Sequence, residues 1–185
     1  MTAVSRAGSA SDAALMASMA AGDLAALGEL YQRYRADLRC FVLRATSRHD
    51  DAEDVLHDAF LVAARIAAKY DGRASCRSWL IGIAARLVQQ RAQRIARVTR
   101  YLARLARLRE GVRSPLPNLE ARSSLDAIDR GLARMTAGKR IVLVMAEVEG
   151  MTCHEIAEAL GIPVGTVWTR LHHARRELLA LGDLR

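Results

Sequence analysis

The chain has 185 residues, and its 28 Lys and Arg against 20 Asp and Glu give a formal net charge of +8, so one domain or two small ones with a polyanionic partner are in range. Aromatic residues make up only 4% and β-branched runs are nearly absent, which favours an all-α protein over a sheet-based one. Three dispersed cysteines, Cys40, Cys76 and Cys153, with no C-x-x-C spacing, argue against a disulfide frame and for a reducing, cytoplasmic setting.

Residues 1–11 are rich in Ala, Ser and Gly and lack a long apolar core. They read as a disordered tail, neither a secretory signal nor a membrane span. Ser11 or Asp12 can cap a first helix that ends near Gly22. Asp23 can cap a second, over about 24–46, with Leu27, Leu30, Tyr31, Tyr34, Leu38, Phe41 and Val42 on its apolar face.

After a turn at His49 and Asp50, a third helix is predicted over about 51–68, carrying Val55, Phe60, Leu61 and Ile66. Its opening is acidic: Asp50, Asp51, Glu53, Asp54 and Asp58, with His57 among them. Carboxylates there complement the helix macrodipole. The same face could dock a basic protein. Asp54, His57 and Asp58, at i, i+3, i+4, could also hold a metal, but no second ligand cluster accompanies them. Lys69 to Ser75 is a loop signal. A fourth helix starts near Cys76 and carries Trp79, Leu80, Ile83 and Leu87. Arg73, Arg77, Arg86, Arg91 and Arg94, with Tyr70 and Trp79 interleaved, suit phosphates and exposed bases. Trp79 is in step with Ile83 and Leu87, which favours a place in the core.

The charge excess sits in the middle of the chain, where residues 96–118 hold six basic side chains and one acidic. Ile95, Val98, Leu102 and Leu105 make an apolar stripe beside Arg94, Arg97, Arg100, Arg104 and Arg107, so the fourth helix could continue as far as Arg109. Such a basic amphipathic stripe needs a cover, from its own domain or from a partner. Pro115 and Pro117 exclude regular helix, and this is the best boundary in the chain.

Helical segments follow over about 122–134 and 137–149, and then two short helices in sequence. Thr152 and Glu155 form a capping box that starts a helix at Cys153. Ile156, Ala157 and Leu160 make its inner face, Gly161 supplies the positive φ that ends it, and Pro163 fits the start of the next. Val167, Leu171, Ala174 and Leu178 then repeat at 4, 3, 4. Two helices joined by a tight glycine turn form a helix-turn-helix, which places its second helix in the DNA major groove. Thr166, Thr169, Arg170 and His173 are assigned to the outer face of that helix and Trp168 flanks it. Arg175 and Arg176 are within reach of phosphates. A Gly-rich phosphate loop, a nucleophile motif and paired metal motifs are all missing from the sequence, so neither an enzyme nor a cofactor-dependent protein is expected.

Together these pieces resemble the extracytoplasmic-function group of bacterial RNA polymerase sigma factors. Three stretches carry the likeness, in the family's order: Asp51 to Leu61, Ser78 to Ala84, and Glu147 through Arg175. The resemblance implies that Asp51, Glu53, Asp54 and Asp58 dock on the coiled-coil clamp of the polymerase large subunit. It implies that Tyr70, Arg73, Ser75, Arg77, Trp79, Arg86 and Gln90 meet the minus-ten element, with a flipped base held by the loop from Tyr70 to Cys76. It implies that Thr166, Trp168, Thr169, Arg170, His173, Arg175 and Arg176 meet the minus-thirty-five element. Core polymerase, promoter DNA and a sequestering anti-sigma factor would be the partners of a chain that is monomeric when free. Arg86 and Gln90 stand where the family usually has Asn and Asp, and Trp168 where a basic residue is common.

The expected architecture is all-α. A disordered tail (1–11) precedes a region 2-like domain (12–96), a flexible basic linker (97–120) and a region 4-like helix-turn-helix domain (121–185). The alternative is a polymerase-independent dimeric repressor or activator. A metal-dependent hydrolase using Asp54, His57 and Asp58 is a third, weaker reading.

Overall fold

The computed structural model describes residues 10–46, 49–108 and 131–182, and every regular element among them is helical. Helix α1 (Asp12–Ala20) starts at Ser11, whose hydroxyl accepts the Ala14 N–H at 3.2 Å. Gly22, at φ 93°, turns the chain. Asp23 then caps α2 (Leu24–Ala45) by accepting the Ala25 N–H at 2.8 Å. The Asp12 carboxylate accepts hydrogen bonds from Arg33 and Tyr34 and ties α1 to α2. Helix α3 (Ala52–Ile66) closes with a 3-10 turn over Ala67–Lys69, and Ser75 caps α4 (Cys76–Leu108) through the Ser78 N–H. Leu30, Leu38, Phe41, Val42, Val55, Leu56, Leu80 and Ile81 are almost fully buried between α2, α3 and α4.

Helix α4 has 33 residues, or about 50 Å at the α-helical rise. Of the two possibilities the sequence left open for the basic segment, the structure shows the continuous one over 97–108, which is helix running on from the element that starts at Cys76. From Gln93 to Arg104 every residue is exposed, so the apolar stripe of Ile95, Val98 and Leu102 has no cover among the described residues. Residues 109–120 of the expected linker, the start of the predicted 122–134 helix and most of the predicted tail lie outside the described residues.

The second domain contains a helical turn at 131–134 and helices α5 (Ala137–Glu147), α6 (Cys153–Leu160) and α7 (Val164–Gly182). Its core is Ile141, Val142, Val144, Met145, Ile156, Val167, Leu171 and Ala174. The capping box is complete: the Thr152 hydroxyl accepts the Glu155 N–H, and the Glu155 carboxylate accepts the Thr152 N–H at 2.7 Å. These bonds to Thr152, backbone first, hold the Glu155 carboxyl below its usual range. Gly161, at φ 65°, ends α6, with the Ile162 N–H reaching back to the Ala157 carbonyl and the Gly161 N–H to Glu158. Thr152→Ala and Gly161→Ala are each expected to cost about 1 kcal/mol. Urea titration measures both, and an unchanged midpoint for either would show that the turn is held by packing instead.

The two domains lie against one another. Helix α4 packs on α5 and α6, and α2 packs on α5. Arg140 of α5 is 3% exposed, and its guanidinium donates to the carbonyl of Ala45, at the end of α2, at 2.8 Å and to that of Leu132 at 2.9 Å. Burial lowers its pKa from the usual arginine value.

Candidate nucleic-acid interface and acidic docking face

Helix α7 presents Trp168, Thr169, His172, His173, Arg175 and Arg176 to solvent, while Val167, Leu171 and Ala174 hold it to α5 and α6. Trp168 is 56% exposed, so it does not pack. The Thr169 hydroxyl donates back to the Gly165 carbonyl at 2.9 Å. Arg175 pairs with Glu147 at 2.6 Å, whereas Arg176 has no partner among the described residues. His172 and His173 lie with ring centroids 5.7 Å apart. His172, which was not assigned a role from the sequence, is exposed one turn on from Trp168.

Arg170 corrects the expected outer face. It is half-buried, its guanidinium reaches the backbone at Gly138 of α5, and one terminal nitrogen is buried with no hydrogen-bond partner. A Cβ added at Gly138 would sit 3.3 Å from that guanidinium. Arg170 therefore points back into its own domain rather than toward a groove. Thr166 is half-buried at the first turn of α7.

The residues assigned to the minus-ten element come together at the start of α4. Tyr70 and Trp79 are half-buried and meet edge to face at 5.4 Å. The Tyr70 hydroxyl donates to Ala74 at 2.8 Å and stiffens the loop. Burial, the largest cause, raises the Tyr70 pKa, and burial pushes the Cys76 thiol up to about 12. Arg73 lies exposed beside Asp71 at 3.3 Å, and Gln90 is exposed further along α4. Arg77 and Arg86 do not face open solvent alone. Arg77 bridges Asp37 at 2.8 Å and Glu149 at 2.5 Å. Arg86 donates to the carbonyls of Ala159 at 2.5 Å and Glu158 at 3.2 Å. A cavity of about 200 Å³ remains between Arg73, Ser78, Trp79 and Arg86 on one side and Glu155 and Glu158 of α6 on the other.

The acidic opening of α3 is only partly neutralised. Glu53 pairs with Arg39 at 2.5 Å and Asp58 with Arg91 at 2.7 Å. Asp51 is half-buried at the helix start, where its side chain makes no capping bond. Asp54 is exposed and makes no hydrogen bond or ion pair among the described residues. At i, i+3, i+4 and i+7, Asp54, His57, Asp58 and Leu61 share one face. Leu61 is 48% exposed and lines an apolar groove with Leu24, Leu27, Tyr31 and Phe60. No group of three His, Cys, Asp or Glu side chains among the described residues could hold a metal. No described helix is long and apolar enough to cross a membrane.

Comparison with known proteins covers both halves. The family "Sigma-70 region 2" matches residues 30–98, and "Sigma-70, region 4" matches residues 125–178. The chain is 30% identical to the ECF RNA polymerase sigma factor SigM of Mycobacterium tuberculosis, over 92% of this chain and 84% of that one. It is 29% identical to the RNA polymerase sigma factor CnrH of Cupriavidus metallidurans, over 93% and 94%. The solved structure of CnrH in complex with the cytosolic domain of CnrY aligns with a TM-score of 0.64 at 26% identity, covering 94% of this chain and 97% of that one. The sigma factor RpoE of Bartonella quintana, solved with the anti-sigma factor NepR, shares the fold, with a TM-score of 0.59 at 21% identity over 84% and 96%. The chain belongs to the extracytoplasmic-function group of RNA polymerase sigma factors, regulatory initiation factors rather than enzymes in the usual sense.

Proposed function

We propose that this sigma factor binds core RNA polymerase through the Asp54 face of α3 and directs it to a two-part promoter in the cytoplasm. The start of α4 and the loop before it read the minus-ten element as single strand. The open face of α7 reads the minus-thirty-five element as duplex. The observation that carries the reading is the open face of α7: a capped helix-turn-helix that turns an indole, two imidazoles and two guanidiniums to solvent. Trp168, Thr169, His172 and His173 are near the N-terminal half of α7, the part that reaches base edges, and Arg176 is placed for phosphate. Arg170 supports this face from behind, through α5. Catalysis of nucleotide addition is left to the polymerase. The two solved relatives above were captured with CnrY and with the anti-sigma factor NepR, which supports an anti-sigma partner for this chain as well.

Reconstitution tests the reading. The purified chain is expected to co-elute with core polymerase as a one-to-one complex and to start transcripts at discrete promoters. A chain that elutes as a dimer and holds duplex DNA without polymerase would replace this reading with that of a repressor or activator. Within the complex, Arg176→Ala is expected to weaken binding to all promoters alike and to reduce the slope of log affinity against log salt by about 1. A change confined to one promoter sequence would make Arg176 a base reader instead.

A further inference from the structure

We infer that the uncovered end of α4 docks in the acidic, apolar groove between α2 and α3 of a second copy of this chain. The free protein then pairs with itself through the surface proposed above for polymerase. The contact is read from the two surfaces alone; its consequence for polymerase rests on that docking reading.

The first surface is the end of α4. Ile95, Val98 and Leu102 are 41%, 52% and 57% exposed, and they continue in step the buried line of Leu80, Ala84 and Val88. A core face thus runs on into water, where apolar surface is costly. Arg94 and Tyr101 border the stripe on either side of Val98. Arg94, Arg97 and Arg104 are exposed and form no ion pair among the described residues. The second surface is the groove. Leu24 is 78% exposed and Leu61 48%. With Leu27, Tyr31 and Phe60 they line an open space of about 370 Å³. Asp54, exposed and unpaired, stands two turns before Leu61 on α3.

A chain cannot fill its own groove, because α4 runs antiparallel to α3. Ile66, at the end of α3, lies by Ser78 and Trp79. Arg91 donates to the Asp51 carbonyl at 3.3 Å and to Asp58 at 2.7 Å, toward the start of α3. Past Arg91 the helix leaves α3 behind and runs on for about 25 Å at the α-helical rise. The groove lies in the other direction, at Phe60 and Leu61. Tail against tail is also disfavoured: residues 93–104 contain no carboxylate, so arginines would face arginines. Tail in groove matches in charge and in spacing. Asp54 and Leu61 are seven residues apart, and so are Arg94 and Tyr101, with Leu102 next. A tail laid parallel to α3 brings Arg94 to Asp54 as Tyr101 and Leu102 reach the Leu61 end of the groove. Arg97 and Arg104, turned away from the stripe, stay in water.

Three aliphatic side chains fall far short of the roughly 800 Å² a side of a stable interface. The pairing is therefore weak, and the free chain is monomeric when dilute. Polymerase takes the same face and dissolves the pair by mass action, which separates this pair from a repressor dimer.

Sedimentation velocity of the full chain at low salt, over a range of concentrations, tests the contact. The sedimentation coefficient is expected to rise with concentration. Asp54→Arg, Arg94→Asp and Leu102→Ser, all at exposed positions, are each expected to weaken self-association by roughly tenfold or more. An equal mixture of Asp54→Arg and Arg94→Asp is expected to restore it, because each tail then meets a groove of opposite charge. A parent chain that stays monomeric throughout overturns the proposal, as does a mixture that stays monomeric. A loss in Leu102→Ser without one in Asp54→Arg would mean that tails pair with tails. A shift seen only when a single-stranded oligodeoxynucleotide is added would give the tail to nucleic acid. Either result overturns the groove as its site. If Asp54→Arg also assembles holoenzyme normally, the docking reading falls, while restored pairing in the mixture still reports the self-contact.

Discussion

Arg140→Ala is expected to lower the unfolding free energy by roughly 3 kcal/mol or more, because two hydrogen bonds from a charged donor are lost and each is worth about 1.5–3 kcal/mol. The guanidinium is the link between the domains on the side of α2: it joins the last carbonyl of α2, at Ala45, to that of Leu132 in the second domain. Both acceptors are enclosed, so alanine would leave them without a partner and leave a gap where the stem had been. Arg140→Lys keeps the charge but lacks the planar fork that reaches two carbonyls at once. It is expected to recover only part of the loss, and Arg140→Met, which keeps the stem alone, less still. Urea unfolding of the three variants separates these contributions. A loss for Arg140→Ala below about 0.5 kcal/mol, the range of ordinary surface substitutions, would mean that the carbonyls find other donors.

Nothing in the sequence pointed to Arg140, and the reason is physical. The signals that were legible act within a few residues. Ser11 and Asp23 bond N–H groups two or three positions on, Thr152 and Glu155 cap one another, and Gly161 must supply its own φ. Such chemistry is local, so the helix starts, the helix-turn-helix and the buried faces of α2 and α7 can be read from spacing. Arg140 to Ala45 spans 95 residues, and Arg86 to Ala159 spans 73. Those pairs exist only because the domains meet, and no periodicity carries that information. Arg170 failed for a related reason. Its spacing from Thr166 fits the outer face, but an arginine stem is long enough to turn back toward Gly138, where the absence of a side chain leaves room. Spacing alone left open whether the fourth helix runs on into the basic segment after Ile95. It stays helical to Leu108 because Ala, Arg and Leu are all strong helix formers and the first proline comes later, at Pro115.

Asp54→Arg is expected to weaken the complex with core polymerase by at least about tenfold while leaving the chain folded. Like charges facing one another across an interface cost several kcal/mol, and about 1.4 kcal/mol is already a factor of ten. Asp54 is the cleanest of the four acidic candidates to reverse. Glu53 and Asp58 would lose Arg39 and Arg91, and Asp51 begins the helix, so changes there mix docking with stability. Asp54 has only the dipole of α3 to lose, worth up to about 1 kcal/mol in the first turn, and Asp54→Asn measures that part alone. Leu61 lies two turns along on the same face, at the edge of the apolar groove with Leu24 and Tyr31. A basic helix with an apolar seam would therefore meet charge at one end of the face and hydrophobic surface at the other. Raising the salt concentration screens the charge but not the groove. The defect of Asp54→Arg should accordingly shrink in high salt, while that of Leu61→Ser should persist. Normal holoenzyme assembly by Asp54→Arg at low salt would remove α3 as the docking face and return its carboxylates to helix capping.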